Sequence, residues 1–249
     1  DDLSHVATWA DGKKLTIAPE KSGVILFTPD QAQFKYHPQV FFKGTLIPLK
    51  KALKMLGIIF DTKLTGKDHI SEAAGKGDRR LPILKALAGT DWGHHQELLL
   101  QTYKCLIRSG FDFGAPIWFP NVSATNLKKL QVVQNKGLRI ATGCHLKSSI
   151  AHLHTETKML PVKNHLEMLC SQFLASALRI SHPSHNVVTL PPGPRKMKKT
   201  LYENNISFVR PYLNEDGKML EINYKKTLTS IHSAAVAASV CENGPNPIL

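Results

Sequence analysis

The chain has 249 residues, 42% hydrophobic and 20% charged, a balance that excludes disorder throughout and leaves apolar mass for one sizeable core or two small ones. Its 32 Lys and Arg against 19 Asp and Glu give a formal net charge of +13, so the expected partner is a polyanion. The four cysteines (Cys105, Cys144, Cys170, Cys241) are too far apart for a secreted disulfide scaffold and favour a reduced, intracellular setting, cytoplasmic or nuclear. No apolar run approaches the roughly 18 residues of a membrane helix, there is no signal peptide, and the opening Asp-Asp in place of Met reads as a fragment or processed product.

From Leu15 to Phe27, LTIAPEKSGVILF sets two apolar runs about Pro19-Glu20-Lys21-Ser22-Gly23, which predicts a hairpin. QVFFKGTLIP, from residue 39, offers Lys43-Gly44 as a second turn, and Met55 to Phe60 (MLGIIF) reads as one short buried strand. Residues 1 to 65 are therefore expected to form a small sheet unit. After Gly66 the period changes. Leu98, Leu99, Tyr103, Leu106 and Ile107 recur at helical spacing and should stop at Gly110 as a C-cap.

A second helix begins at Ser123 or Thr125 as N-cap, carries Leu127, Leu130, Val133, Leu138 and Ala141 on one face, and ends at Gly143. Its opposite face carries Lys128, Lys129, Lys136 and Arg139. A third takes Pro161 at its first turn and runs through Leu166, Leu169, Cys170, Phe173, Leu174 and Leu178 toward Pro183. These helices should form a bundle over residues 66 to 182. Residues 183 to 249 read as a basic linker and tail, with PPGPRKMKK (191 to 199) as an extended arm and one helical candidate from Lys225 to Val240. The predicted class is α+β.

The four cations on one side of an amphipathic helix can each meet a phosphate, giving sequence-independent, salt-sensitive affinity; a solvated bundle face would look the same. Cys144, His145, His152, His154, His165 and Cys170 are all zinc-capable, but no Cys-x-x-Cys pair is present and His165 with Cys170 misses helical pairing by one residue. Capping or core roles are expected there. Serine-protease, Walker-type and dinucleotide patterns are absent.

In order, these segments resemble the end of a reverse transcriptase of a non-LTR, LINE-like retrotransposon of the jockey type. Asp1-Asp2-Leu3-Ser4 resembles the second half of the Tyr-x-Asp-Asp turn of the palm. LTIAPEKSGVILFTPD (15 to 30) resembles the strand-turn-strand that follows it, and LGIIFDTKLTGKDHI (56 to 70) the primer-grip hairpin and its exit. WFPNVSATNLKKLQVVQNKGLRIATGC (118 to 144) resembles the thumb region and HLHTETKMLPVKNHL (152 to 166) the segment after it. The stretch from LQVVQN to HLHTET is the most specific, because several unusual polar positions fall at the expected spacing.

The resemblance implies RNA-directed DNA synthesis by the parent nucleotidyltransferase, with RNA and DNA as partners and Mg2+ as cofactor. Asp1 and Asp2 would supply one side of the metal site, with the other carboxylate strand missing. Lys21 would sit where a cation meets the departing pyrophosphate, and Leu56, Gly57 and Phe60 would line the primer grip. The fragment alone is expected to bind nucleic acid without polymerising; the alternative is a domesticated or decayed remnant serving as a structural or protein-interaction module. One departure stands out: the family places a helix between the Asp-Asp turn and the strand near Leu15, where only about ten residues intervene here. The truncated sheet should also leave an open edge around Val40, Phe41 and Ile58, inviting self-association.

Overall fold

The computed structural model describes residues 2–28, 31–89, 93–179, 182–189, 206, 209–213 and 228–237. The architecture is α+β, in two compact units, residues 1–69 and 70–249.

In the first unit a helix, α1 (Asp2–Gly12), fills the short stretch before Leu15 and takes in Asp2 itself, so Asp2 stands in a helical first turn and not in the palm-like turn expected of it, and Ala10 is buried. Two antiparallel hairpins follow. Strands β1 (Val40–Phe42) and β2 (Thr45–Ile47) pair Phe42 with Thr45 across Lys43-Gly44, as predicted. Strands β3 (Ala52–Met55) and β4 (Ile58–Asp61) pair Met55 with Ile58 across Leu56-Gly57. The single strand expected from Met55 to Phe60 is thus folded in half. Both turns put their two central residues at positive φ (+46 and +80; +47 and +91), the two-residue geometry that matches strand twist and that glycine adopts without strain.

The hairpin expected over Leu15 to Phe27 does not form. Pro19–Lys21 is a single 3-10 turn, suited to the fixed φ of proline, in which the Ser22 N–H returns to the Pro19 carbonyl at 3.1 Å. Val24 instead makes a parallel bridge with Leu49, donating to the Pro48 carbonyl at 3.0 Å and accepting from the Lys50 N–H at 2.8 Å. At the edge, Phe41 and its cross-strand partner Leu46 are about half exposed, but Val40 is half-buried and Ile58 buried. Ile58 therefore leaves the exposed patch expected of it, because the pleat of β4 turns it inward.

The second unit is helical. A 21-residue helix that the sequence pattern hid, α2 (Lys67–Leu87), crosses from the first unit and buries Ile70, Ala73, Ala74, Gly77, Leu81 and Leu84, spaced three and four apart along one stripe. Next come α3 (Gln96–Tyr103), a wide π-helical turn (Lys104–Arg108) and α4 (Ser109–Asp112) as one continuous run. The expected stop at Gly110 is passed; the run ends at Phe113, before Gly114 at φ +62. A short α5 (Ala115–Trp118) leads through a 3-10 turn (Phe119–Asn121) into α6 (Ala124–Thr142).

Helix α6 has the predicted ends: the Ser123 hydroxyl accepts from the Asn126 N–H, and Gly143 terminates it at φ +68. Two glycines let neighbours approach closely. A Cβ on Gly77 would lie 2.9 Å from Val133 of α6, and one on Gly137 would lie 2.6 Å from the Tyr103 ring. The unit continues with α7 (Ile150–Thr157), α8 (Val162–Ala177) and α9 (His185–Thr189). Val209, and Ile231 from a helical segment at 228–237, join Met168, Leu174, Ala175 and Leu178 in a buried cluster. The arm at 191–199 lies outside the described residues. Among the described residues no helix is long and apolar enough to cross a membrane.

Candidate nucleic-acid interface

At about 100° per residue, Lys128, Lys129, Lys136 and Arg139 fall within a single arc of α6, with Leu130, Val133, Leu138 and Ala141 buried on other sides. The arc lies beside α2. Lys129 donates to the Ser71 hydroxyl at 3.0 Å, and Lys136 pairs with Asp78 at 2.9 Å. Ser71 and Asp78 are seven residues apart, as are the two lysines, so the helices run alongside in matched register. Both groups of the Lys136–Asp78 pair are about half exposed; such a pair is weak and can open to a phosphate.

Lys128 is exposed and has no hydrogen bond or ion pair among the described residues. Arg139 differs: it is half-buried, and its Nη2 donates to the Ser148 carbonyl at 3.3 Å, tying the end of α6 to the loop before α7. The surface thus offers three lysines and one arginine that shapes the loop.

What holds this face is a buried polar junction that the sequence reading saw only as unusual residues at fixed spacing. The Gln131 carboxamide uses every group it has: its oxygen accepts from the Val162 N–H at 2.8 Å, and its nitrogen donates to Asn135 Oδ1 at 2.8 Å and to His154 Nε2 at 3.2 Å. His154 Nδ1 lies 2.8 Å from the Met159 carbonyl, which can only accept. Nδ1 therefore carries the proton and Nε2 is free to accept, the neutral tautomer. Burial pushes the His154 pKa below the usual imidazole value, more than the Met159 hydrogen bond raises it.

One turn along α6, the fully buried Gln134 donates to the Leu160 carbonyl at 2.9 Å and faces the Tyr103 hydroxyl. The buried Arg108 guanidinium reaches the same carbonyl at 3.3 Å. Burial presses its pKa down, and the Asp112 carboxylate offsets part of that. The segment Met159–Val162, between α7 and α8, is therefore clamped onto α6 by side chains from three helices. Buried polar groups are expensive unless paired, which is why these residues come as a set.

The other residues implied by the resemblance belong to the first unit. Asp1 lies outside the described residues; Asp2 is exposed on α1, and Lys21 is exposed on the 3-10 turn. Neither Asp2 nor Lys21 has a side-chain hydrogen bond or ion pair among the described residues. Leu56, 95% exposed, and Gly57 form the protruding tip of the β3–β4 hairpin, while the Phe60 ring turns back to meet Phe27 edge-on at 6.3 Å.

Asp61 was missed by sequence reasoning. Its carboxylate accepts from the N–H groups of Lys63, Thr65 and Gly66 and from the Thr65 hydroxyl, all within 3.1 Å, and so fixes the exit from the hairpin into α2.

Among the described residues no group of three His, Cys, Asp or Glu side chains comes together that could hold a metal ion. One exposed carboxylate on α1 does not fit a Mg2+ site. The zinc-capable residues are dispersed: His154 is in the clamp, His165 pairs with Asp112 at 3.0 Å, and Cys105, Cys144 and Cys170 are free thiols.

No family model and no solved structure matches the chain. Over 199 residues, 74% of its length, the chain is 26% identical to the "Probable RNA-directed DNA polymerase from transposon X-element" of Drosophila melanogaster. It spans 21% of the length of that relative. The resemblance carried by residues 15 to 166 and this match agree: the chain is similar to a part of a transposon RNA-directed DNA polymerase.

Proposed function

We infer that the chain is the palm-and-thumb end of a non-LTR, jockey-type reverse transcriptase, and that it grips RNA and DNA through the lysines of α6 without polymerising alone. The observation that supports this best is that the most specific part of the resemblance, from LQVVQN (130 to 135) to HLHTET (152 to 157), supplies Gln131, Gln134 and His154 to a buried junction beneath an exposed row of lysines. A row held at fixed spacing meets phosphates at the cost of ordering its lysine side chains alone, with no backbone to fold.

Binding to a duplex is read by fluorescence anisotropy at several salt concentrations. Each phosphate neutralised contributes a slope of about −0.9 in log affinity against log salt, and Lys136 is already partly neutralised by Asp78, so the slope should lie between about −2 and −3. Changing Lys128, Lys129 and Lys136 to Ala should flatten it while far-ultraviolet circular dichroism is unchanged. If the triple variant binds normally, and replacing Arg195, Lys196, Lys198 and Lys199 abolishes affinity instead, the assignment of the face to α6 is wrong.

The same reading has the chain extend no primed template in magnesium or manganese, because among the described residues no three His, Cys, Asp or Glu side chains come together that could hold a metal ion. Incorporation that Asp2→Asn abolishes would contradict it.

A further inference from the structure

Two residues past the Val162 N–H that closes the clamp, the first turn of α8 contains a residue that the fold leaves unexplained. Asn164 is only 1% exposed, yet neither its carboxamide oxygen nor its nitrogen has a hydrogen-bond partner among the described residues. A buried amide in that state loses its hydration without replacement, a penalty that native structures seldom carry without cause.

Asn164 lines a cavity of about 520 Å³ bounded by the 3-10 turn at Phe119, the start of α6 at Leu127, one side of α8, and Ile231 with Ala235 of the helical segment 228–237. Phe119, Leu127 and Ala235 are half-buried, so the cavity opens to solvent. The exposed Lys163 stands at its rim, on the first turn of a 16-residue helix whose N-terminal dipole favours an anion. Glu167, one turn further, adds an acceptor to the wall. Burial and the nearby Glu167 push the thiol of the lining Cys170 up to about 12, so it supplies no thiolate.

We propose that this cavity receives one unstacked nucleobase of a single strand, adenine by preference, with Asn164 pairing to the base edge and Lys163 to its phosphate. A carboxamide presents a donor and an acceptor side by side, which complements the N6 donor and N7 acceptor of adenine. Apolar walls with an aromatic ring are how unpaired bases are held once drawn from the stack. The volume is of the size that small-molecule sites occupy. This site is separate from the lysine row: the row meets phosphates of any sequence, whereas the cavity reads a base.

The full chain is titrated with a labelled single-stranded oligonucleotide of adenines and with an abasic strand of the same length at one salt concentration. The adenine strand should bind at least about tenfold more tightly. Asn164→Leu should erase that difference while leaving affinity for the abasic strand unchanged. It should also hold or raise the melting temperature, since it removes an unpaired buried amide. Ala235→Phe, which fills the cavity from its opposite wall, should erase the preference independently and serves if the Asn164 variant does not fold. Adenosine monophosphate should compete with the adenine strand and not with the abasic one.

Equal affinity for the two strands overturns the proposal and leaves the lysine row standing. Loss of binding to both in the triple lysine variant, with adenosine monophosphate still bound, separates the two sites the other way. A lowered melting temperature for Asn164→Leu, with the base preference intact, would make Asn164 a structural residue and also overturn the proposal.

Discussion

Replacing Gln131 by Leu tests the junction that supports the proposed interface. The substitution keeps side-chain size and helix propensity but removes three hydrogen bonds at once. It strands the Val162 N–H, Asn135 Oδ1 and His154 Nε2 on residues that are 3%, 6% and 7% exposed. An unsatisfied buried group costs about 1–3 kcal/mol. Gln131 itself is half-buried, so water reaches part of the site and the low end applies, about 3 kcal/mol in total.

For a chain of this size that is roughly 6–12 °C in melting temperature. Urea unfolding followed by far-ultraviolet circular dichroism reads it directly. Gln131→Glu gives the complementary test. It keeps the acceptor for the Val162 N–H but faces His154 Nε2 with a carboxylate, which favours a proton there. Its deficit should therefore shrink as pH falls through the imidazole range. A loss below about 1 kcal/mol for the Leu variant, with an unchanged denaturant slope, would refute the clamp as the support of the α6 face.

The His154 ring gives a pH signature of its own. Its folded pKa is depressed below 6.5, so the unfolded chain binds more protons in acid; stability is whole above about pH 7 and falls as pH drops below 6.5, by up to about 1.4 kcal/mol per unit. His154→Gln should remove that part of the slope in urea titrations at several pH values, and an unaltered slope would place the acid sensitivity elsewhere. At the β3–β4 tip, Leu56 is almost fully exposed with φ +47. Leu56→Asn should thus raise stability by about 0.5–1 kcal/mol, and a lowered melting temperature would mean that the leucine has a folded-state contact.

The helices with clean periodicity and chemical punctuation were legible in the chain. Ser123 and Gly143 bracket α6 because a hydroxyl cap and a left-handed glycine act locally, whatever the rest of the fold does. Helix α2 was hidden because Gly75, Gly77 and Pro82 interrupt its apolar periodicity with residues that disfavour a helix interior. Gly77 is there to bring two helices together, a requirement set by Val133 more than fifty residues away. Gly110 read as a stop for the opposite reason: the wide turn before it carried the run past that point.

Leu56-Gly57 was absorbed into an apolar run, since a leucine at positive φ leaves no mark in a hydrophobicity pattern. The lysine face was read correctly as a face, but its hydrogen bonds to Ser71 and Asp78 depend on helix pairing that no local signal announces. Asn164 was invisible for the same reason, since what singles it out is the lack of a partner.

The wide turn at Lys104–Arg108 bears on how chains of this kind can differ in length. In a regular helix Arg108 would point about 140° away from Tyr103, yet Tyr103, Ile107, Arg108 and Phe111 are all buried. The run accommodates one residue more than an unbroken i→i+4 ladder would hold. Deleting one residue among the exposed Lys104 and Cys105 would mend the ladder and leave the arginine four places after Tyr103, on the same buried face and within reach of the Leu160 carbonyl. The supernumerary residue and the buried arginine are thus separable, and a relative one residue shorter in this turn should still carry an arginine at that place.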